Sequence, residues 1–309
     1  MSDRTLWRTD NLNRDAVHES NQELGWSESY SFNFYDKEKD ICGLLQIALK
    51  PNTNETDVSC HFMLSDGTLV GLNESMKYDG PALSVKGLSF EELEPERRWR
   101  LGFSGGMSRT KERMAKKSHV EFSLEFEALS RIFDCSESSD RDEEQLQGLL
   151  EQFGRVTGTL AMGLDEYAIK GLGERAHSWG VRDWNEITSW TLLSCQFSED
   201  MAICLHKLTK SGLEVDAGFL HLHGKTVAIN KADLKTSFDP DGSAKSFELV
   251  LHDKEGGAHK FSASIMRQTK LPSPSSDGKS LSMMHEALAR FSFGGKIGYG
   301  IVEYLVRRV

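Results

Sequence analysis

Trp26-Ser27-Glu28-Ser29-Tyr30-Ser31-Phe32-Asn33-Phe34 alternates aromatic and polar residues at period two. Successive side chains of a strand point to opposite faces, so the run predicts a half-buried β-strand. Outward from it, residues 36–40 supply a charged turn, and residues 41–49 predict a second strand, stopped by Pro51-Asn52. Residues 59–64 and 68–72 flank Asp66-Gly67 and predict a hairpin with a type I′ turn. Further strands are expected over 83–90, 98–103 and 119–129, the last with Val120, Phe122, Leu124 and Phe126 on one face.

The acidic, polar stretch 135–148 is the best candidate for a linker and predicts a loop leading into a short helix over 143–153. Strand patterns resume over 153–162, 166–172 and 189–197. The same grammar then repeats over 201–208, 215–222, 225–229, 246–252 and 259–265. A Pro/Ser/Gly loop over 272–279 precedes closing strands at 281–293 and 299–306. Many short strands and almost no helix, in a chain of 309 residues, predict two all-β units. Barrels are favoured over open sandwiches, because closure removes exposed strand edges and leaves room for one small ligand.

Asp and Glu number 47 against 37 Lys and Arg, a formal net charge of -10. That surface disfavours nucleic acid and anionic membranes as partners. The five cysteines are scattered, with no CxxC pair, as expected of buried thiols in a reducing compartment. Residues 1–10 lack the apolar stretch of a signal peptide, and no apolar run has transmembrane length, so a cytoplasmic protein without an integral membrane segment is expected.

The densest cluster of uncommon residues is Gly171-Leu-Gly-Glu-Arg-Ala-His177-Ser-Trp179-Gly180-Val-Arg182-Asp183-Trp184, with Trp190 following. Glycines 171, 173 and 180 permit sharp turns, while His177 and Trp179, two apart, face one side of a strand. A histidine able to exchange a proton beside aromatic walls is a fair pocket constellation. The bland alternative is a structural corner, with Arg182 and Asp183 satisfying buried polar groups and the tryptophans serving as core. Gly171-Leu-Gly-Glu-Arg-Ala lacks the last glycine of a dinucleotide fingerprint. His221 and His223 share a strand face, but no third ligand follows at suitable spacing, so no metal site is expected.

The cluster resembles the signature of the AttH and carotenoid 1,2-hydratase superfamily, an Asp-His-x-Trp-Gly stretch followed by a Trp-rich strand. It resembles more closely a bacterial branch that reads Gly-Leu-Gly-x-Arg-Asp-His-Ser-Trp-Gly-x-Arg-Asp-Trp. The likeness extends to residues 25–35, 97–101 and 154–159. It includes His285-Glu286 and the run from Gly298-Tyr299-Gly300 through Glu303-Tyr304. It implies two tandem lipocalin-like barrels, divided here as 1–175 and 176–309, and enzymes that hydrate or cyclise hydrophobic polyenes, often without a cofactor. Two departures stand out. Ala176 replaces the aspartate before the histidine, and Cys204-Leu205-His206 stands where the hydratase has a tyrosine and an aspartate.

Two functions follow from this reading. One is a cofactor-independent lyase, isomerase or cyclase acting on an isoprenoid or polyene, with His177 as the proton-transfer group. Trp179, Trp184, Trp190, His206 and Tyr299 would then be substrate contacts, with Arg182, Asp183, Glu286 and Glu303 in supporting roles. The other is a non-catalytic carrier of a hydrophobic small molecule. A polar group facing an apolar interior favours the first, and a wholly apolar lining the second.

Overall fold

The structure is a computed structural model and describes residues 14–112, 114–138, 148–181, 187–274 and 281–307. It is all-β, the helical turns among the described residues being the short 3-10 turns Pro51–Thr53 and Cys135–Ser138. The chain divides into two compact units, Met1–Phe133 with Leu149–Val181 and Asp134–Gly148 with Arg182–Val309.

The strands of the first part of the chain are β1 (Trp26–Asp36), β2 (Ile41–Lys50), β3 (Glu55–Met63), β4 (Leu69–Lys77), β5 (Ser84–Val85), β6 (Leu88–Glu94), β7 (Arg98–Lys111), β8 (Met114–Ala128), β9 (Phe133–Asp134), β10 (Leu149–Met162) and β11 (Asp165–Val181). In the first unit the order of hydrogen-bonded neighbours is β4-β3-β2-β1-β11-β10-β8-β7-β6-β5. β7 divides its outer edge: Arg98 to Phe103 pair with β6, while Ser108 to Thr110 pair with β4 and close the circuit. Period two then decides what lies inside. Tyr30, Phe32 and Phe34 of β1, Trp99, Leu101 and Phe103 of β7, and Phe122, Leu124 and Phe126 of β8 form one buried cluster. Phe32 meets Phe90 and Phe126 edge-on, and Phe103 stacks on Phe122, so side chains fill the interior.

The second unit carries β12 (Ile187–Ser198), β13 (Met201–Lys210), β14 (Leu213–Leu222), β15 (Lys225–Phe238), β16 (Ala244–Asp253), β17 (Ala258–Pro274), β18 (Leu281–Phe293) and β19 (Lys296–Arg307). Each pairs with the next, and β19 returns to β12, giving a closed eight-stranded antiparallel barrel. Leu193, Cys195, Ile203, Leu205, Phe247 and Val302 belong to its apolar core. All five cysteines are buried.

Some expectations are corrected. The helix over 143–153 gives way to β10 from Leu149, where Leu150 pairs with His177, and residues 143–147 lie outside those described. A short apolar run does not distinguish helix from strand, and here the cross-strand partner decides. The strand expected over 166–172 continues unbroken to Val181, because Gly171 and Gly173 allow close packing rather than a turn. A Cβ at Gly173 would lie 1.8 Å from the Asn33 carbonyl oxygen. The 59–72 hairpin forms, but only Gly67 has a positive φ (80°), and its N–H bonds the Leu64 carbonyl. That is a type I turn closed by a left-handed glycine, a three-residue connection rather than type I′. The loop expected over 272–279 starts later, β17 running through Pro274.

Candidate functional site

β1 and β11 run antiparallel with Tyr30 opposite His177, Phe32 opposite Arg175 and Glu28 opposite Trp179. Since Tyr30 and Phe32 face the apolar interior, parity turns Glu28, Arg175, His177 and Trp179 to that same side. A carboxylate, a guanidinium and an imidazole are thereby gathered at one end of an aromatic core. Glu28 and His177 are each fully buried, and Tyr30 nearly so.

His177 Nδ1 lies 3.1 Å from the Arg14 carbonyl oxygen, which can only accept, so this nitrogen carries a hydrogen. Nε2 lies 2.8 Å from Glu28 Oε1. With Nδ1 protonated, the neutral ring presents a lone pair at Nε2 to a carboxylate oxygen, and that contact is favourable only with a proton between them. Burial is the largest influence on His177 and lowers its pKa, against the opposing pull of Glu28 and Asp15. Nε2 and Oε1 thus face each other at hydrogen-bond distance in a dry setting.

Glu28 is a hub. His18 donates its backbone N–H to Oε2 at 2.9 Å, and His18 Nδ1 lies 2.8 Å from Oε1. Tyr30 stacks on the His177 ring with centroids 4.0 Å apart, and its hydroxyl donates toward the Asp15 carbonyl at 2.9 Å and Glu28 Oε1 at 3.3 Å. Burial and the charges of Glu28 and Asp15 raise the Tyr30 pKa, so the phenol stays neutral. His18 is the accessible member, with 33% of its side chain exposed, and it stacks on the half-buried Trp179 at 3.8 Å.

What fixes the segment around His18 is a second network. Arg175 grips Asp15 through two bonds, Nη1 to Oδ1 at 2.6 Å and Nη2 to Oδ2 at 3.0 Å, and its Nε donates to Gln152 at 2.6 Å. The Glu96 backbone N–H donates to Asp15, and Arg14 pairs with the Glu96 side chain. Asp15 and Arg175 are both buried, so each neutralises a charge that would be costly alone.

Of the residues singled out in the sequence, His177 and Trp179 are therefore brought together, and Arg182, Asp183 and Trp184 lie outside the described residues. Trp190, His206, Glu286, Tyr299 and Glu303 belong to the second unit, on β12, β13, β18 and β19. Leu192 is flanked by His206 on one side and Glu303 on the other, and Glu303 pairs with Glu286, so these form a row across four strands. Parity puts that row, Trp190 and Tyr299 on the face opposite the core residues Leu193, Leu205 and Val302. Burial and the neighbouring charge of Glu303 push the Glu286 carboxyl up to about 8.

Sequence reasoning missed Glu28, His18, Asp15 and Arg175. The carboxylate sought at Ala176 comes instead from the adjacent strand. The signal was present, since Glu28 shares its parity with Trp26, Tyr30, Phe32 and Phe34. Nor did spacing along the chain reveal that His18, Glu28 and His177 place three metal-ligating atoms within 4.8 Å of one another.

The fold is that of the AttH-like proteins, a pair of lipocalin-like units in tandem. An AttH-like protein from Nitrosomonas europaea superposes with a TM-score of 0.66 at 10% identity, covering 95% of this chain and 98% of that one. CghA, crystallised with Sch210972, gives 0.60 at 11% identity over 97% and 96%. Kievitone hydratase from Nectria haematococca gives 0.57 at 10% over 92% and 90%. At these identities the likeness is one of fold. The chain belongs to the family described as Domain of unknown function (DUF7064), which matches residues 12–308. No curated protein sequence matches it. Among the described residues, no helix is long and apolar enough to cross a membrane.

Proposed function

We propose that the chain is a lyase-type enzyme of the hydratase or cyclase kind, moving a proton to or from a small hydrophobic molecule without a cofactor. The observation that carries this reading is the 2.8 Å contact between His177 Nε2 and Glu28 Oε1 at the end of an aromatic interior. Glu28 accepts from His18 Nδ1, which leaves His18 Nε2 as the basic atom of the accessible ring. A proton gained at Nε2 makes an imidazolium held against Glu28; passing it to a substrate double bond returns the neutral ring, and the cation so formed either takes a water that gives its proton back to Nε2 or loses a neighbouring proton to Nε2. His177 stands behind the carboxylate, with its Nε2 2.8 Å from Oε1. Such general acid assistance is worth about 10²–10⁴-fold in rate.

Trp179, parallel to His18, offers an aromatic face to a developing carbocation. An isoprenoid or polyene suits those walls, since it needs only a proton, an aromatic surface and the exclusion of stray water. Two proteins of the same fold are consistent with a small-molecule role: one is named a hydratase, and the other was crystallised with Sch210972.

The test is incubation of the purified chain with a panel of isoprenoids and polyenes, followed by mass spectrometry. Expected is a product heavier by one water, or an isomer of unchanged mass, lost in Glu28→Gln and His177→Gln. Binding without conversion would make the chain a carrier.

A further inference from the structure

We propose that His18 Nδ1, Glu28 Oε1 and His177 Nε2 form a binding site for a divalent transition-metal ion such as zinc. The proposal concerns the same atoms as the proton-transfer reading but does not rest on it, because cation and proton are alternative occupants.

Three observations support it. The donor set is two imidazoles and one carboxylate, a combination that suits zinc and related ions and leaves a further position open. The atoms already converge: each histidine nitrogen lies 2.8 Å from Glu28 Oε1, and all three fall within 4.8 Å of one another. An ion at about 2.0–2.1 Å from each donor needs them about 3.3 Å apart, so two contacts open by about half an ångström. Finally, the outer partners are those a metal-binding histidine uses. His177 Nδ1 donates to the Arg14 carbonyl, which fixes the tautomer with its lone pair on Nε2, and Glu28 is held by the His18 backbone N–H. Tyr30 and Trp179 pin the two rings by stacking. His18 keeps 33% of its side chain exposed, whereas Glu28 is fully buried.

The experiment titrates metal-free protein with zinc chloride and with cobalt(II) chloride, followed by calorimetry and by the visible absorption of bound cobalt. Expected are one equivalent of ion per chain and cobalt bands of a low-coordinate nitrogen–oxygen site. Losing an outer partner typically costs about 10–100-fold in metal affinity. Losing a ligand, in His18→Ala or Glu28→Gln, should therefore weaken binding by at least about 100-fold. His223→Ala, which removes an exposed ring bonded to Asp200, should change nothing. Because His18 is partly exposed, His18→Ala is the variant expected to keep the fold, checked by its melting curve. No stoichiometric binding to folded wild-type protein, or binding that survives both ligand substitutions, overturns the proposal. The readout uses no substrate. Its failure therefore leaves the proton-transfer reading standing, whereas a chain that binds zinc but converts no polyene sinks that reading alone.

Discussion

Glu28 and His177 are diagonal rather than direct cross-strand neighbours. The residue opposite His177 is Tyr30, and the residue opposite Glu28 is Trp179. The 2.8 Å contact is made along the diagonal, within reach of long side chains. The direct partners meanwhile stack on the two imidazoles, Tyr30 on His177 and Trp179 on His18. Each step of the ladder thus contributes one polar group and one flat wall.

His177→Gln should lower turnover by about 10²–10⁴-fold. It should also cost about 1–3 kcal/mol of stability, since the ring is buried with both nitrogens bonded. His18→Gln should lower turnover comparably while leaving the melting temperature nearly unchanged, because that ring is partly exposed. Denaturation and rate measurements on both variants check this. Full activity in His18→Gln removes that ring from the proton path, and full activity in His177→Gln removes the ring behind the carboxylate from any part in the reaction.

Arg175→Ala should destabilise the protein by about 3–5 kcal/mol, the usual consequence of stranding one member of a buried ion pair. Asp15 would then lose its guanidinium partner while keeping the Glu96 backbone N–H. Urea unfolding measures it, and a loss below about 1 kcal/mol would mean that the pair adds little.

Stability should fall on acidification through His61. Both ring nitrogens are buried without a hydrogen-bond partner among the described residues, and burial lowers the pKa from 6.5 to about 4. Between those values the unfolded chain binds a proton that the folded one refuses, so stability rises with pH across that window and is complete above about 6.5. A difference of that size corresponds to about 3 kcal/mol. His61→Leu should flatten that part of the pH–stability curve, and an unchanged slope would refute the assignment.

Gly173→Ala should disrupt the junction of β1 and β11, because the added carbon falls 1.8 Å from the Asn33 carbonyl oxygen, a backbone atom that cannot swing away. A loss of at least about 1–3 kcal/mol is expected. The register joining Glu28 to His177 should loosen with it, visible as lost hydrogen-exchange protection along both strands. A variant as stable as the parent would show that the ladder adapts.

The strands and the inward side of His177 and Trp179 were readable because period two is local: Trp26 through Phe34 declares its own parity. Glu28 was readable on the same rule but was passed over as one more polar residue in the alternation. Ala176 drew the search to the wrong place, since a neighbour in sequence on a strand points to the opposite face, and the carboxylate came from another strand. Asp15 and His18 lie in a segment without regular structure, where no periodicity exists to be read. Their roles depend on Arg175 and Glu28, one of them 160 positions away along the chain. The type I′ expectation failed for a related reason, since Asp-Gly suits more than one turn and the strand ends decide which.

The pairing of β1 with β11 also dictates an order of manufacture. Until residues 165–181 leave the ribosome, β1 has only β2 beside it and its other edge lies bare. The aromatic face of the first strand must wait through the synthesis of well over a hundred residues, at about 5–20 per second. During that wait it is a sticky edge seeking any partner. A chain truncated before Asp165 should therefore aggregate, while one ending just after Val181 should already close its first barrel. The same strand that completes the ladder delivers His177 to Glu28, so the cluster comes into being only when the barrel does.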